Sequence, residues 1–191
     1  MPEKTPTGIT RQQAWELLNQ KVGSVNLIRH CLASEAIMRA LAERLGKDVE
    51  QWGIAGLLHD LDFEQTRDEP SRHGLMAALV LAKRGVSPEI VRAVKSHNEE
   101  TGTRRQTLLD FALASAETIT GLIVAAALVH PGKELSQVKV KSVLKKMKQK
   151  EFARNVDRQI ILECKNLGLS LEEFVQISLR AMQAISDQLG L

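Results

Sequence analysis

The sequence predicts an all-helical protein, and three observations carry that expectation. Alternating runs of β-branched and aromatic residues, the signature of strands, are almost absent from its 191 residues. Helix starts and stops recur instead, with Thr10, Asp48 and Ser87-Pro88 as starts and Gly46, Gly85 and Gly168 as stops. Finally, residues 107–129 form a long, nearly uncharged stretch whose apolar residues, among them Leu108, Phe111, Ile119, Leu122 and Ile123, leave little polar face. A helix apolar around most of its circumference belongs in the centre of a bundle.

In chain order, residues 1–8 read as a short disordered lead-in without the apolar core of a signal peptide. Thr10 with Gln13 resembles a capping box and opens a first helix to about Lys21. Gly23-Ser24 interrupts, and a second helix spans 25–45, with Leu27, Cys31, Ile37, Met38, Leu41 and Leu45 at helical spacing and Gly46 as its C-cap. His30 lies inside it. Asp48 caps a third helix carrying Trp52, Ile54, Leu57 and Leu58 and ending at His59-Asp60. The next ten residues are polar and read as a loop. Ser71 opens a fourth helix with His73 in its first turn, stopped near Gly85. Ser87-Pro88 starts a fifth, which carries Ile90, Val91 and Val94 to His97. After the loop 98–106 and the central helix, Pro131-Gly132 breaks the chain. The remainder is expected as helices over 138–149, 151–167 and 170–189.

Composition narrows the function classes. Apolar residues are 43% and charged residues 26% of the chain, ordinary for a globular protein. A formal charge of +3 does not argue for a polyanionic partner. Most of the excess sits in Lys139, Lys141, Lys145, Lys146, Lys148 and Lys150, read as a solvated face of an amphipathic helix or an anion-binding flank. Four Phe, two Trp and no Tyr leave few platforms for stacking bases, so nucleic acid is not expected as a partner. Cys31 and Cys164 form no motif and fit reduced thiols packed inside helices. No apolar run is expected to reach the roughly 18 residues that span a bilayer. The expectation is a cytoplasmic protein without membrane contact.

The chemistry gathers at the end of the third helix. Adjacent helical side chains diverge by about 100°, so His59 and Asp60 converge only where the helix is ending. Imidazole nitrogen and carboxylate oxygen are donors for a divalent metal. His30, His73 and His97 lie on other helices, and His130 reads as a surface residue beside Pro131. Glu117 stands in the middle of the apolar helix, where an uncompensated buried carboxylate costs several kcal/mol. Imidazoles and an acid on neighbouring helices place cation and anion where each needs the other.

The ordered set His30, His59-Asp60 and a later acid resembles the HD superfamily of metal-dependent phosphohydrolases. The likeness extends to Leu57-Leu58-His59-Asp60-Leu61-Asp62-Phe63-Glu64, Ser96-His97-Asn98 and Thr120-Gly121-Leu122-Ile123, as in an uncharacterised bacterial branch. It implies an HD-domain-like helical bundle, with residues 1–130 as the metal-binding core and 131–191 as a C-terminal helical extension packed on the same domain. It also implies one or two divalent ions (iron, manganese, cobalt, nickel, zinc or magnesium) held by His30, His59, Asp60 and Glu117, with His73 and His97 as ligands of a second. Glu117 departs from the family, which has Asp there. Asp110 lies ~10 Å away along the same helix and is a poor substitute.

The function expected from this resemblance is hydrolysis of a phosphate ester or anhydride, on a nucleotide or related small phosphorylated molecule, by attack of metal-bound hydroxide. Asp60 would bridge metals or orient water. Asp62 and Glu64 are candidate proton-transfer groups, and Arg67, Arg72, Lys95, Arg104 and Arg105 are candidate phosphate holders. Two other classes stay open: a catalytically lapsed metal- or nucleotide-binding regulatory module, and nucleic-acid binding through the lysine-rich face. A homo-oligomer is compatible with all three.

Overall fold

Residues 6–191 are described in the computed structural model, and no strand occurs among them. The helices are α1 (Arg11–Lys21), α2 (Val25–Leu45), α3 (Val49–Leu58), α4 (Phe63–Thr66), α5 (Leu75–Lys83) and α6 (Pro88–His97). They continue with α7 (Leu108–Leu128), α8 (Val140–Met147), α9 (Arg158–Leu162), α10 (Leu171–Gln183) and α11 (Ser186–Leu189). The caps are built as the sequence suggests: Thr10 and Gln13 form a reciprocal box, and Asp48 and Ser87 accept from the amides of Gln51 and Ile90. A second box, Thr107 with Asp110, opens α7.

The tightest helix pair is α2 on α3, and glycine makes it possible. A Cβ on Gly56 would sit 2.8 Å from the carbonyl of Ser34 and 2.9 Å from Glu35 Cα, so here two backbones touch. One turn earlier, a Cβ on Gly53 would collide with the Arg39 guanidinium at 2.7 Å. Arg39 uses that space to reach Glu35 at 2.9 Å and Glu50 at 2.6 Å. The buried Glu35 also takes a bidentate pair from Arg11, at 2.8 and 2.9 Å. The Glu35 carboxylate thus ties α1 to α2, satisfied by two guanidiniums as burial requires, and Arg39 carries the link on to Glu50 of α3.

Helix α7 is the axis, packed against α2, α6, α8, α9 and the 3-10 turn Glu163–Leu167. It also overturns one expectation. At 21 residues and mean hydropathy 1.8 it is long and apolar enough to cross a bilayer by length and composition. Alanine, serine, threonine and glycine dilute its large residues, which hides the run in the sequence. In the fold, 67% of that window is buried among other helices.

Local structure departs from expectation elsewhere. The polar stretch after Asp60 is not all loop but contains α4 and a 3-10 turn, Pro70–Arg72. The fourth helix starts at Leu75, not at Ser71, so His73 precedes it. Gly74, at φ 86, turns the chain into the helix. The Asp62 carboxylate, arriving from another element, caps the amides of Gly74 and Ala77 at 2.9 and 2.8 Å. The helix expected over 151–167 shrinks to α9 and its 3-10 continuation. Ala153 has a positive φ of 45°, and the Arg158 guanidinium collects the carbonyls of Gln149, Phe152, Ala153 and Val156 that a helix would have paired internally. Of the expected N-terminal lead-in, residues 1–5 lie outside the described residues. Thr7 is buried and its carbonyl accepts from Ser87 N at 2.9 Å.

The C-terminal helices cover the other side of the axis: α10 lies on α2, α7 and α8, and α11 on α2. Arg105 fastens this layer to the loop after α6. Its guanidinium holds Glu163 at 2.6 and 2.9 Å and the carbonyls of Ser96 and His97 at 3.2 and 3.3 Å.

Gly56→Ala should lower stability by about 1–3 kcal/mol, the usual range for overpacking a filled contact. A melting curve that stays superimposable on wild type would show that α2 and α3 part without cost.

Candidate metal centre

Helix α3 runs out at Leu58, and His59 and Asp60 form the turn beyond it, both buried. Around the Asp60 carboxylate stand four imidazoles from separate elements. His59 Nε2, His73 Nε2 and His97 Nε2 lie 3.4, 3.2 and 3.6 Å from Oδ1, and His30 Nε2 lies 3.6 Å from Oδ2. The donors fall into two groups, His30-His59-Asp60 and Asp60-His73-His97, with Asp60 in both.

The outer nitrogens decide what the inner ones can do. His59 Nδ1 donates to the Gly56 carbonyl at 2.8 Å, and His97 Nδ1 donates to the Val94 carbonyl at 2.6 Å. His73 Nδ1 donates to the Asp62 carboxylate at 2.8 Å. His30 Nδ1 lies 2.9 Å from Thr120 Oγ1, whose own proton goes to the Glu117 carbonyl at 2.6 Å, so the hydroxyl accepts from the ring. All four Nδ1 atoms therefore carry hydrogen. In the neutral tautomer each Nε2 is left with a lone pair aimed at Asp60. Fixing the ring and tautomer of a ligating histidine through its other nitrogen is what such partners do in metal sites.

The inner distances fit a cation. His30 Nε2 and His59 Nε2 are 3.1 Å apart, and His73 Nε2 and His97 Nε2 are 3.0 Å apart. Two facing lone pairs repel unless positive charge lies between them. Donors sharing one ion at about 2.0–2.1 Å stand about 2.9–3.4 Å apart in octahedral or tetrahedral arrangement. The donor set of four imidazoles and a carboxylate fits a divalent transition metal.

The electrostatics agree. Burial pushes His59 down to about 3, which makes it a neutral donor. Burial alone would raise Asp60, but the four surrounding rings outweigh it and hold the carboxyl well below its usual range. Asp62 is likewise lowered against the pull of burial, by His73 and the amides of Ala77 and Gly74. His73 is raised to about 10, because Asp60 and Asp62 on either side outweigh its burial. Left to protein groups alone, the cluster draws in a proton, so it is a place that asks for positive charge.

Not every candidate joins this cluster. Glu117 belongs to neither donor group: its Oε2 is 3.9 Å from His30 Nε2, and its Oε1 accepts from the Thr118 hydroxyl. Burial raises its pKa, an effect that His30 and His97 partly offset. Asp110 is held by Arg92 at 3.1 Å and by the α7 cap, away from the donors. Asp62 spends its carboxylate on His73, Gly74 and Ala77, while Glu64 caps the amides of Gly23 and Ser24 at 3.0 and 2.8 Å. The cluster opens into a cleft of about 680 Å³, bordered by Asn26, Phe63, Asn98, Glu99, Glu100, Glu117 and Ile160 among others. None of Arg67, Arg72, Lys95, Arg104 and Arg105 lines it. Arg72 is engaged by Glu69, and Arg105 by Glu163 and Glu99.

Thr120 and Asn98 were not expected as site residues. Asn98 Nδ2 donates to the carbonyls of Pro70 and His73 at 2.7 and 3.0 Å and so holds the turn that carries His73. Both residues stand in the short motifs quoted above, three positions after Glu117 and one after His97, and that adjacency was the available signal.

A family model, HD domain, matches residues 27–127, which contain every donor of the cluster. Among curated proteins, ribonuclease Y of Geobacter metallireducens is 32% identical over 98 residues, covering 51% of this chain and 18% of the relative. Ribonuclease Y of Nitratidesulfovibrio vulgaris is 30% identical over 98 residues, and that of Lawsonia intracellularis 28% over 96. The chain thus spans less than a fifth of the length of these relatives. No solved structure matches significantly. With the match covering more than half of the sequence, and the family's histidine-aspartate doublet at the centre of the donor cluster, the chain belongs to the HD domain family, whose members are metal-dependent hydrolases.

Proposed function

We propose that this protein hydrolyses a phosphate ester, with nucleotide phosphomonoesters or phosphodiesters as the substrate class. The observation that carries the reading is the set of four Nε2 lone pairs converging on Asp60, each fixed by a hydrogen bond on the far side of its ring. His30, His59 and Asp60 would hold one divalent ion, and His73, His97 and Asp60 a second. Such ions supply Lewis acidity toward phosphoryl oxygens and lower the pKa of water from 15.7 to about 7.

The chain's own residues contribute position and polarity. Asp62 and Thr120 orient His73 and His30, so Asp62 is assigned to positioning in preference to proton transfer. Glu117, with one oxygen free of Thr118 and facing His30, is the group best placed to hold a proton at the edge of the cleft. Among the described residues no lysine or arginine lines the cleft, and Glu99 and Glu100 stand at its rim. That polarity disfavours a triphosphate, which brings several uncompensated charges, and favours an ester of low charge. The relatives are named as ribonucleases, which supports a phosphodiester.

A regulatory module without turnover is the second reading. It is favoured by Glu117, which stands outside both donor groups at a position where the family has Asp.

Protein purified without chelator should contain one to two equivalents of divalent metal and turn over bis(p-nitrophenyl) phosphate. Loading without turnover of any ester across a metal series would favour the regulatory reading, and absence of bound metal would sink both. Asp62→Asn should weaken metal affinity about 10–100-fold, the usual effect of removing a ligand's orienting partner; wild-type affinity in that variant would remove Asp62 from the positioning role. Metal at 1,000 times its Kd should stabilise by about 4 kcal/mol over chelated protein, shifting Tm by roughly 10 °C for a chain of this size. In Asp60→Ala, which removes the carboxylate common to both donor groups, the loaded and chelated proteins should melt together, and a persisting shift would place the metal elsewhere.

A further inference from the structure

Beside the metal cleft lies a second cavity of about 460 Å³, and the two share Asn26 and His30 in their walls. The floor is apolar, made by Ala33, Val124, Leu128, Leu189 and Leu191. One cation enters it. Arg29, the neighbour of His30 on α2, is half-buried and has no hydrogen-bond or ion-pair partner among the described residues. Its guanidinium lies against the backbone of Gly190, where a Cβ would come within 2.5 Å of Nη2 and 2.8 Å of Cζ. A half-buried guanidinium without an acceptor is costly to keep. Leu128 is 50% exposed at the same cavity, another apolar group without cover.

The two voids differ in character: the cleft carries the acids and most of the imidazoles, while the annex is mostly aliphatic, with Asn26, His30 and Thr120 in its wall and one planar fork of donors. We infer that the annex is a nucleobase subsite, in which Arg29 donates to a base edge carrying two adjacent acceptors while the phosphate of the same nucleotide sits at the Asp60 cluster. The aliphatic walls suit the faces of an aromatic ring. The fork of Arg29 matches a ring nitrogen and an exocyclic oxygen side by side, as on a purine such as guanine. A phosphate in the annex would find one cation against walls that are mostly carbon, with Asn26, His30 and Thr120 as the other polar side chains, a poor exchange for water. Asn26, shared by both walls, would meet the sugar between base and phosphate. This assignment rests on the phosphoester reading above and sharpens it: the enzyme recognises a nucleotide by base and phosphate together.

The test measures binding of GMP and of ribose 5-phosphate, by calorimetry, to metal-loaded wild type, Arg29→Ala, Arg29→Lys and Val124→Phe. GMP should bind wild type at least 10-fold more tightly than ribose 5-phosphate. Arg29→Ala should erase that ratio without changing ribose 5-phosphate affinity or metal content, and Arg29→Lys should restore only part of it, because an ammonium lacks the fork. Val124→Phe, which fills the annex and leaves Arg29 in place, should weaken GMP alone. Equal affinity of wild type for the two ligands, or a ratio that survives Arg29→Ala, overturns the subsite even when bis(p-nitrophenyl) phosphate is turned over. No turnover and no binding of either ligand overturns the phosphoester reading itself, and the subsite with it.

Discussion

Four imidazole lone pairs facing one buried carboxylate are the constraint to which the rest of this fold answers. The arrangement repels itself unless each ring is held from behind, and the holders come from four different elements. Two are backbone carbonyls of the rings' own helices, at Gly56 and Val94. One is a threonine hydroxyl on the central helix. The fourth is a carboxylate two residues beyond Asp60. The unusual backbone positions serve the same end. Gly56 lets α3 approach α2, which carries His30, and Gly74 turns the chain so that His73 faces Asp60 while its own amide meets Asp62.

The distribution of charge around that cluster follows from it. Basic residues are plentiful in the chain, yet three near the ligands in sequence are drawn off: Arg72 by Glu69, Arg92 by Asp110, Arg105 by Glu163. The cleft keeps the carboxylates and the rings. A binding place assembled this way receives cations first and anions only through them. The neighbouring annex, with its aliphatic walls and its one guanidinium, has the complementary polarity.

The sequence spoke clearly about elements and less clearly about connections. Starts such as Asp48 and Ser87-Pro88 were legible because capping is local chemistry, and the all-helical class and the family followed from patterns that stay within a few residues. The five donors could be named for the same reason: each is a metal-type residue at a helix end or on an apolar face. What could not be read was who stands behind them. Asp62 looked like a second acid for chemistry, because the amides of Gly74 and Ala77 come to it from another element. Thr120 stands in the sequence as part of a family-like motif without a role, and the role comes from its hydroxyl lying between His30 and the Glu117 carbonyl. Residues 151–157 looked helical because propensity carries no record of Arg158 reaching back to the carbonyls.

Arg105 gives the domain a boundary different from the one that resemblance draws. The matched segment closes at residue 127, but the guanidinium that grips the carbonyls of Ser96 and His97 is neutralised by Glu163, well beyond it. The cation that anchors a ligand-bearing helix end is therefore shared between Glu99 inside the recognised module and Glu163 outside it. Stripping away that outer layer would leave Arg105 with Glu99 alone, so kinship and mechanical integrity divide this protein at different places.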